Sequence, residues 1–216
     1  MAPRKVPATQ CSKPSGLLGR FSLWRMNKSH SGVTDWGLSH ITIQKQYTTL
    51  DIGCGGGRTI NKLAVIATEG KVYGVDYSEE SVATTKSINA QWISHGRVEV
   101  RLGSVSQLPF PDNTFDLITA VETHFWWPDL PNDMREVFRV TKPGGTFIVI
   151  AEVYKGAITA VSRLAEKYAS QTGMTLLSVD EHRELLTNAG FSDVQAIENR
   201  PKGWICAFGK KRIANS

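Results

Sequence analysis

Short, continuously apolar runs alternate along this chain with segments of helical length, and this alternation restricts the possible folds more than any other feature. The runs are rich in Val, Ile and Thr and are bounded by Gly or Asp, as β-strands usually are. The central runs are too apolar for strands with one face in water, so helices should cover both faces of a parallel sheet. The predicted strands are 48–52, 71–75, 97–102, 115–121 and 145–151, and the predicted helices are 58–68, 79–94 and 131–140.

The C-terminal part has a different pattern. Helices are predicted near 157–171 and 180–189, the second starting at Asp180 and ending before Gly190. The runs DVQAIEN and WICAFGK, joined by the turn 200–203, predict a hairpin. The expected fold class is α/β, a doubly wound, Rossmann-like, mostly parallel seven-stranded sheet with an antiparallel C-terminal hairpin.

The N-terminal part is basic and lacks strand-like runs. Residues 1–20 contain several Pro and Gly and predict an irregular arm, whereas residues 21–46 predict one or two short helices broken near Ser31-Gly32. Asp35 is the expected cap of the second helix. Residues 1–34 contain no acidic residue, so the arm suits nucleic acid, a membrane surface or an anionic substrate, or is simply solvated. Its basic residues are Arg4, Lys5, Lys13, Arg20, Arg25 and Lys28.

Length and composition set broad limits. A chain of 216 residues with a net charge of +5 suits one globular domain. Its three cysteines, Cys11, Cys54 and Cys206, form no C-x-x-C pair, so neither a zinc site nor a disulfide framework is indicated, and no metal is expected. This cysteine usage makes a reducing cytoplasm the expected location, and no stretch resembles a membrane span or a secretory signal. An organelle transit peptide is the alternative, since the N-terminus is basic, contains Ser and lacks acidic residues.

A glycine-rich loop, LDIGCGGGRT, follows the first strand and opens the first helix of the sheet. Gly53, Gly55 and Gly57 permit a tight turn and close approach of a ligand to the backbone. The helix N-terminus adds free N–H groups. Asp76 ends the second strand, at the position where nucleotide-binding βαβ units place a ribose-binding carboxylate.

The details of the loop distinguish between ligands. Dinucleotide-binding dehydrogenases use G-x-G-x-x-G, whereas the spacing here is G-x-G-x-G. Asp51 precedes the first glycine by two positions, where its charge would repel a pyrophosphate but pair with the ammonium of a methionine moiety. This favours S-adenosylmethionine (SAM) over a dinucleotide and leaves a nucleotide oxidoreductase as the less favoured alternative.

With this loop, Asp51 and Asp76, the chain resembles the class I SAM-dependent methyltransferases, in the branch that includes ubiquinone- and menaquinone-type small-molecule methyltransferases. The resemblance covers about residues 45–152 and implies SAM as cofactor and a small-molecule methyl acceptor. It also suggests that residues 1–44 form a basic arm and a helical lid, and residues 45–212 the methyltransferase domain. The matching segments, in order, are LDIGCGGGRT, VYGVDYSEESV, LPFPDNTFDLITAV and EVFRVTKPGGTFIVI.

The resemblance also implies a set of cofactor-binding residues. The family often has Gly-Asp-Ala after the third strand, where this chain has Gly103-Ser104-Val105, so a weaker Ser104 bond and the Val105 N–H replace the acid at the adenine. Cys54 is expected to contribute only its backbone. The full set is Asp51, Gly53, Cys54, Gly55, Asp76, Tyr77, Ser104, Val105 and Val121.

The segment after the fourth strand should lie beside the transferred methyl group, since active sites of open α/β sheets lie at the carboxyl ends of strands. His124 is the candidate general base, and Glu122 is expected to hold the donor's ammonium or to position an acceptor. Ordinary packing is the alternative for each aromatic residue here. The candidate acceptor pocket consists of Trp24, His30, Phe125 and Trp126, with Met26, Trp36 and Trp204 as further candidates.

Two alternative functions remain at this stage. A nucleic-acid or protein methyltransferase fits the basic charge, but the fourth strand lacks the Asn/Asp-Pro-Pro-Tyr/Phe motif for exocyclic amines of bases, and no Pro-Cys nucleophile is present. A non-catalytic SAM-binding regulatory protein would need the same loop. The sequence identifies neither the acceptor nor the oligomeric state.

Overall fold

A seven-stranded sheet forms the centre of the computed structural model, which describes residues 13–213 apart from the side chain of Leu17. The strand order is β3-β2-β1-β4-β5-β7-β6. Neighbouring strands from β3 to β5 are parallel, and β7 is antiparallel to both β5 and β6. The strands are β1 (Thr49–Ile52), β2 (Val72–Asp76), β3 (Val98–Leu102), β4 (Phe115–Val121), β5 (Thr141–Ala151), β6 (Ser192–Asn199) and β7 (Trp204–Lys210).

This topology confirms the predicted fold class. The hairpin is at the edge of the sheet as expected. Its second strand, β7, lies between β5 and β6, so β6 is the edge strand. The centre of the sheet is buried on both faces, because helices cover each side; β4 and β5 are almost entirely buried along their central residues, whereas the edge strand β6 is partly exposed. The helices are α1 (Gly16–Ser29), α2 (Ser31–Leu38), α3 (Arg58–Ile66), α4 (Glu79–Ile88), α5 (Ala90–Ser94), α6 (Leu130–Val140), α7 (Ala160–Thr172) and α8 (Val179–Asn188).

Several predicted boundaries differ from the structure. The helix predicted over 79–94 is two helices, because the Asn89 side chain donates hydrogen bonds to the carbonyl oxygens of Gly57 and Thr85 at the junction of α4 and α5. The start predicted at Asp180 is one residue late, since α8 begins at Val179 after Ser178, which caps the helix with Glu181 in a reciprocal capping box. β5 begins at 141, earlier than predicted.

The N-terminal prediction needs two further corrections. α1 begins at Gly16, so residues 16–20 are helical rather than irregular; residues 13–15 are irregular as predicted, and residues 1–12 of the predicted arm lie outside the described residues. Asp35 does not cap the second helix, because α2 begins at Ser31 and Asp35 lies within it, paired with Lys62. The predicted break near residue 31 is confirmed.

α2 is part of the hydrophobic core rather than a separate appendage. Val33 and Leu38 are buried in a cluster that includes Ile148 and Ile150 of β5. A Cβ at Gly37 would overlap the Ile150 side chain, so the backbone of α2 lies directly against that side chain of β5. The division at residue 44 stays a prediction. Within residues 13–213, no helix is both long and apolar enough to cross a membrane.

Candidate functional site

The glycine-rich loop is held against the end of β2 by the Asp76 carboxylate, which accepts hydrogen bonds from backbone N–H groups. Gly55 N–H donates to Asp76 Oδ2 at 2.9 Å, and Ser78 N–H donates to Asp76 Oδ1 at 2.9 Å. Gly53, Gly55 and Gly57 all have positive φ, which L side chains rarely adopt. The loop therefore depends on glycine for its conformation, and α3 starts immediately after it.

Asp51 is buried at the end of β1, directly below this loop. Thr119 Oγ1 on neighbouring β4 donates a hydrogen bond of 2.6 Å to Asp51 Oδ1. Burial raises the pKa of Asp51 to about 7; the Thr119 bond opposes this rise and the charge of Asp76 adds to it. Burial also raises the pKa of Asp76, against the backbone N–H groups that it accepts from. The two carboxyls thus form an acidic wall, and no Lys or Arg of residues 13–213 pairs with either of them.

Glu122 continues this acidic wall past the end of β4. It has φ +57, a conformation that is strained for a residue with a side chain, and such strain is concentrated at functional sites. Its Oε1 accepts from the backbone N–H of Glu152, which follows β5. Burial raises the pKa of Glu122 to about 8, and the nearby Glu152 carboxyl contributes.

These residues line one cavity of about 270 Å³ at the carboxyl ends of β1, β2 and β4. Its size approaches the range of small-molecule sites. All nine predicted cofactor-binding residues line it, as do four of the other candidates, Glu122, Met26, His30 and Trp126. The wall is acidic: Arg58, exposed at the start of α3, is the one Lys or Arg among the described lining residues.

The N-terminal segment forms the roof of the cavity. Leu23, Met26 and Asn27 of α1 and His30 after it all line the cavity. Asn27 Nδ2 donates to the Gly56 carbonyl at 2.8 Å. Pro14 also lines the cavity, and its carbonyl accepts from Ser78 Oγ at 2.7 Å. Residues 14–30 therefore cover the glycine loop, and their action as a lid stays a prediction.

His30 connects the roof to the end of the sheet. Its Nε2 lies 3.7 Å from Glu152 Oε2, and both side chains are about three-quarters buried. Burial lowers the pKa of His30 to about 4 and raises the pKa of Glu152. The imidazole is therefore neutral at neutral pH, next to a carboxyl that can stabilise it if it gains a proton.

His124, the predicted base, is not among the residues that line the cavity. It lies in a short 3₁₀ turn (His124–Trp126), is 2% exposed, and its Nε2 is 3.1 Å from Nε2 of His182 on α8. His182 Nδ1 donates to the Ser178 carbonyl, so its Nε2 accepts from His124. Burial lowers the pKa of both imidazoles. The pair ties the turn to α8, on the far side of the cavity wall.

The remaining aromatic candidates are also outside the cavity. Trp24 is 60% exposed on the outer side of α1, and Phe125 is buried in a hydrophobic cluster with Ala151 and Ile205. Trp36 and Trp204 pack against each other, with ring centroids 5.9 Å apart. These placements follow from helix and turn geometry: neighbouring residues in a helix face different directions, so Trp24 points outward while Leu23 points inward.

Sequence reasoning missed several residues that line or support the cavity. Glu152 follows β5 at the same edge as Glu122 after β4, so the rule that sites lie at the carboxyl ends of strands gave a usable signal for it. Thr119 had no such signal, because only the register of β1 against β4 places it beside Asp51. The N-terminal lining residues without a sequence signal are Pro14, Leu23, Asn27, Ser31 and Thr34.

Comparisons with known proteins show what this chain is similar to. A family described as "Methyltransferase domain" matches residues 50–149. A demethylmenaquinone methyltransferase of Geobacillus kaustophilus is 29% identical over 180 residues, covering 73% of this chain and 76% of the relative. The matched family segment begins one residue before Asp51 and ends within β5, so it contains the loop, Asp76 and Glu122.

Solved structures share the fold. A methyltransferase in complex with the Trm112 methyltransferase activator of Haloferax volcanii has a TM-score of 0.80 at 20% identity, covering 97% of this chain and 100% of that chain. A SAM-dependent methyltransferase from Aquifex aeolicus has a TM-score of 0.72 at 20% identity, covering 88% of this chain and 97% of that chain. At 20% identity, the similarity to these two structures shows a shared fold and nothing more specific.

Proposed function

The chain is a class I SAM-dependent methyltransferase, and on that premise we propose that its acceptor is a small molecule enclosed beneath the α1 roof. The roofed cavity is the observation that carries this proposal, because α1 covers the glycine loop and a macromolecular acceptor would have to displace this roof to reach the cofactor. The demethylmenaquinone methyltransferase relative, whose name implies a small-molecule acceptor, supports the same direction.

We assign the cofactor-binding roles as follows. Asp51 pairs with the ammonium group of SAM, and Asp76 accepts hydrogen bonds from the ribose hydroxyls while holding the loop. Tyr77, Ser104 and Val105 line the adenine side of the cavity. Gly53, Cys54 and Gly55 contribute backbone only; the Cys54 thiol is buried and burial raises its pKa. Val121 contacts the methionine side.

The acidic wall suits a cationic cofactor. When bound, SAM supplies an activated methyl group on a positively charged sulfur. Glu122 and Asp51, both with raised pKa values, favour a cation over the anionic pyrophosphate of a dinucleotide. The charge and the glycine spacing thus point away from a nucleotide oxidoreductase.

The chain's own contribution to catalysis is mainly alignment and exclusion of water. Positioning of this kind can supply roughly 7–11 kcal/mol of the barrier. For a hydroxyl or amine acceptor, we propose His30 as the group that takes the proton, since it lines the cavity and is neutral, with Glu152 stabilising the imidazolium. Trp126 and Met26 form the apolar wall on the same side. His124 has no part in this proposal.

The proposed location is the cytoplasm. Cys54 and Cys206 are buried free thiols, which suits a reducing compartment.

Incubation with methyl-labelled SAM and an extract of the source cells tests the acceptor class. After separation into small molecules, protein and nucleic acid, we expect label in the small-molecule fraction with the wild type and none with Asp76→Ala. Label confined to protein or nucleic acid would replace the proposal with a macromolecular methyltransferase. Tight SAM binding without transfer to any fraction would favour a regulatory SAM-binding protein.

A further inference from the structure

The outer face of α1 carries exposed apolar side chains that the cavity does not use. Leu18, Phe21 and Trp24 are 73%, 58% and 60% exposed. The rings of Phe21 and Trp24 stack, with centroids 5.9 Å apart. A helix that packs on a protein usually turns its large apolar residues inward, and the inward face of α1 is already supplied by Leu23. The outer apolar stripe therefore needs a separate explanation.

Basic side chains are interleaved with this stripe. Arg25 lies four residues after Phe21, and Lys28 lies four residues after Trp24, so all four share one face of the helix. Among the described residues, neither Arg25 nor Lys28 has an ion-pair partner, and the chain has no Asp or Glu before Asp35. We call Leu18, Phe21, Trp24, Arg25 and Lys28 the α1 outer face.

We propose that the α1 outer face docks on an anionic lipid surface. Exposed aromatic and aliphatic side chains enter the interface between headgroups and acyl chains, while neighbouring Lys and Arg contact anionic headgroups. This proposal stands apart from the proposed function, because it concerns the side of α1 that faces away from the cavity.

Other occupants fit the face less well. A second copy of the chain packed symmetrically on this face would bring its Arg25 and Lys28 against the same cations, and like charges repel. Nucleic acid would match the cations and stack on Trp24, but the aliphatic Leu18 offers nothing to a base or a phosphate. A lipid surface uses both kinds of side chain.

Docking at this face has a consequence for the cavity. α1 is also its roof, with Leu23 and Asn27 on the inward side. A protein docked through α1 would hold the roof of its active site at the lipid surface, where an acceptor dissolved in the bilayer is within reach.

Co-sedimentation of the full chain with vesicles tests the proposal. Vesicles containing phosphatidylglycerol should bind the protein roughly tenfold more tightly than pure phosphatidylcholine vesicles, with the difference reduced by salt. Phe21→Ser/Trp24→Ser should lose roughly tenfold or more of the binding to phosphatidylglycerol vesicles.

The matched control is Val65→Ser/Ile66→Ser. These residues are also exposed, at 56% and 40%, but they lie in the last turn of α3, which runs from the end of β1 back to the start of β2 and so away from the cavity. This variant should bind vesicles like the wild type. Calorimetric SAM binding by both variants checks their folding.

Three results would overturn the docking proposal. The first is equal vesicle binding by the two variants, or none by the wild type. The second is binding of an RNA oligomer in place of vesicles. The third is a dimer, seen by light scattering, that Phe21→Ser/Trp24→Ser dissociates. Failure of the acceptor experiment above would leave vesicle binding unaffected, so the two proposals fail separately.

Discussion

Asp51 lies in a wall of the cavity that also holds Asp76 and Glu122, and burial raises the pKa of each of these carboxyls. A raised carboxyl pKa means that the ionised form is destabilised in the free protein. A cationic ligand relieves this, because its charge favours the ionised carboxylates. The affinity for a cationic ligand should therefore depend on how many of these three carboxyls are ionised.

The affinity for SAM should accordingly rise with pH. With the pKa of Asp51 at about 7, the cation-binding ionised form is the minority below pH 7, and the apparent affinity should fall by about tenfold per pH unit there. Calorimetry between about pH 5.5 and 8 checks this expectation. Asp51→Asn should bind more weakly and with a flatter pH profile, and a wild type with constant affinity across this range would contradict the assignment.

Substitutions at two glycines with the same φ distinguish the cost of backbone strain from the cost of steric overlap with neighbouring atoms. Gly53 and Gly96 both have φ +70, but a Cβ at Gly53 would overlap Thr123, whereas a Cβ at Gly96 has no atom within 4 Å. Gly96→Ala should lower the free energy of unfolding by about 1 kcal/mol, the cost of the left-handed conformation alone. Gly53→Ala should lower it by roughly 3 kcal/mol or more, because overpacking adds to the strain.

Denaturant unfolding measures both variants. Gly53→Ala should also lose SAM binding, whereas Gly96→Ala, outside the cavity, should retain it. Equal losses of stability in the two variants would mean that the contact between the loop and Thr123 is not constrained as described.

At the scale of secondary-structure elements, α1 is both the roof of the cavity and a clasp on the glycine loop. The Asn27 side chain donates to the Gly56 carbonyl, and removing such a bond to a partly buried acceptor costs about 1 kcal/mol. Asn27→Ala should therefore weaken SAM binding by roughly fivefold through a looser roof. Ser29→Ala, at the exposed end of the same helix, should leave affinity unchanged.

Hydrogen exchange gives a second measure of the same contact. Amides of α1 should exchange more slowly when SAM is bound, and this protection should be smaller in Asn27→Ala. Identical exchange with and without SAM would argue that α1 is not a lid.

The sheet and the loop were predictable from sequence because their signals are local. Continuous apolar runs identify buried strands, and the G-x-G-x-G spacing with Asp51 and Asp76 identifies the loop and its ligand. The direction of a side chain after a strand is not local. His124 points to His182 because a 3₁₀ turn follows Thr123, and no residue pattern indicated that turn.

The start of α1, the roof of the cavity, was also not predictable from local sequence signals. Pro and Gly before residue 20 suggested an irregular arm, yet α1 starts at Gly16, held through Pro14 and Ser78. That contact joins residues 64 positions apart, so tertiary structure rather than local propensity sets the boundary.

For the whole molecule, the acidic wall makes the free protein's stability depend on pH. Folding raises the pKa of Asp51 from 3.8 to about 7 and that of Glu122 from 4.5 to about 8. Each carboxyl therefore contributes stability that is fully present below its unfolded pKa and is lost as pH rises through its folded pKa. Because of the Asp51 and Glu122 carboxyls, the free protein should melt at a lower temperature at pH 8 than at pH 5.5.

SAM should bind more tightly at higher pH, because its positive charge favours the ionised carboxylates. The increase in melting temperature that SAM causes should therefore be larger at pH 8 than at pH 6. Differential scanning fluorimetry measures both trends. Asp51→Asn, which has no titrating group at this position, should show a smaller loss of stability between the two pH values. A free protein that gains stability steadily toward pH 8 would contradict the raised pKa values.

The most direct test of the central claim is calorimetric titration of SAM, S-adenosylhomocysteine and NAD into the wild type and into Asp76→Ala. The account predicts micromolar binding of SAM to the wild type, weakened by roughly tenfold or more in Asp76→Ala, and no binding of NAD. Binding of NAD without SAM, or unchanged SAM affinity in Asp76→Ala, would contradict it.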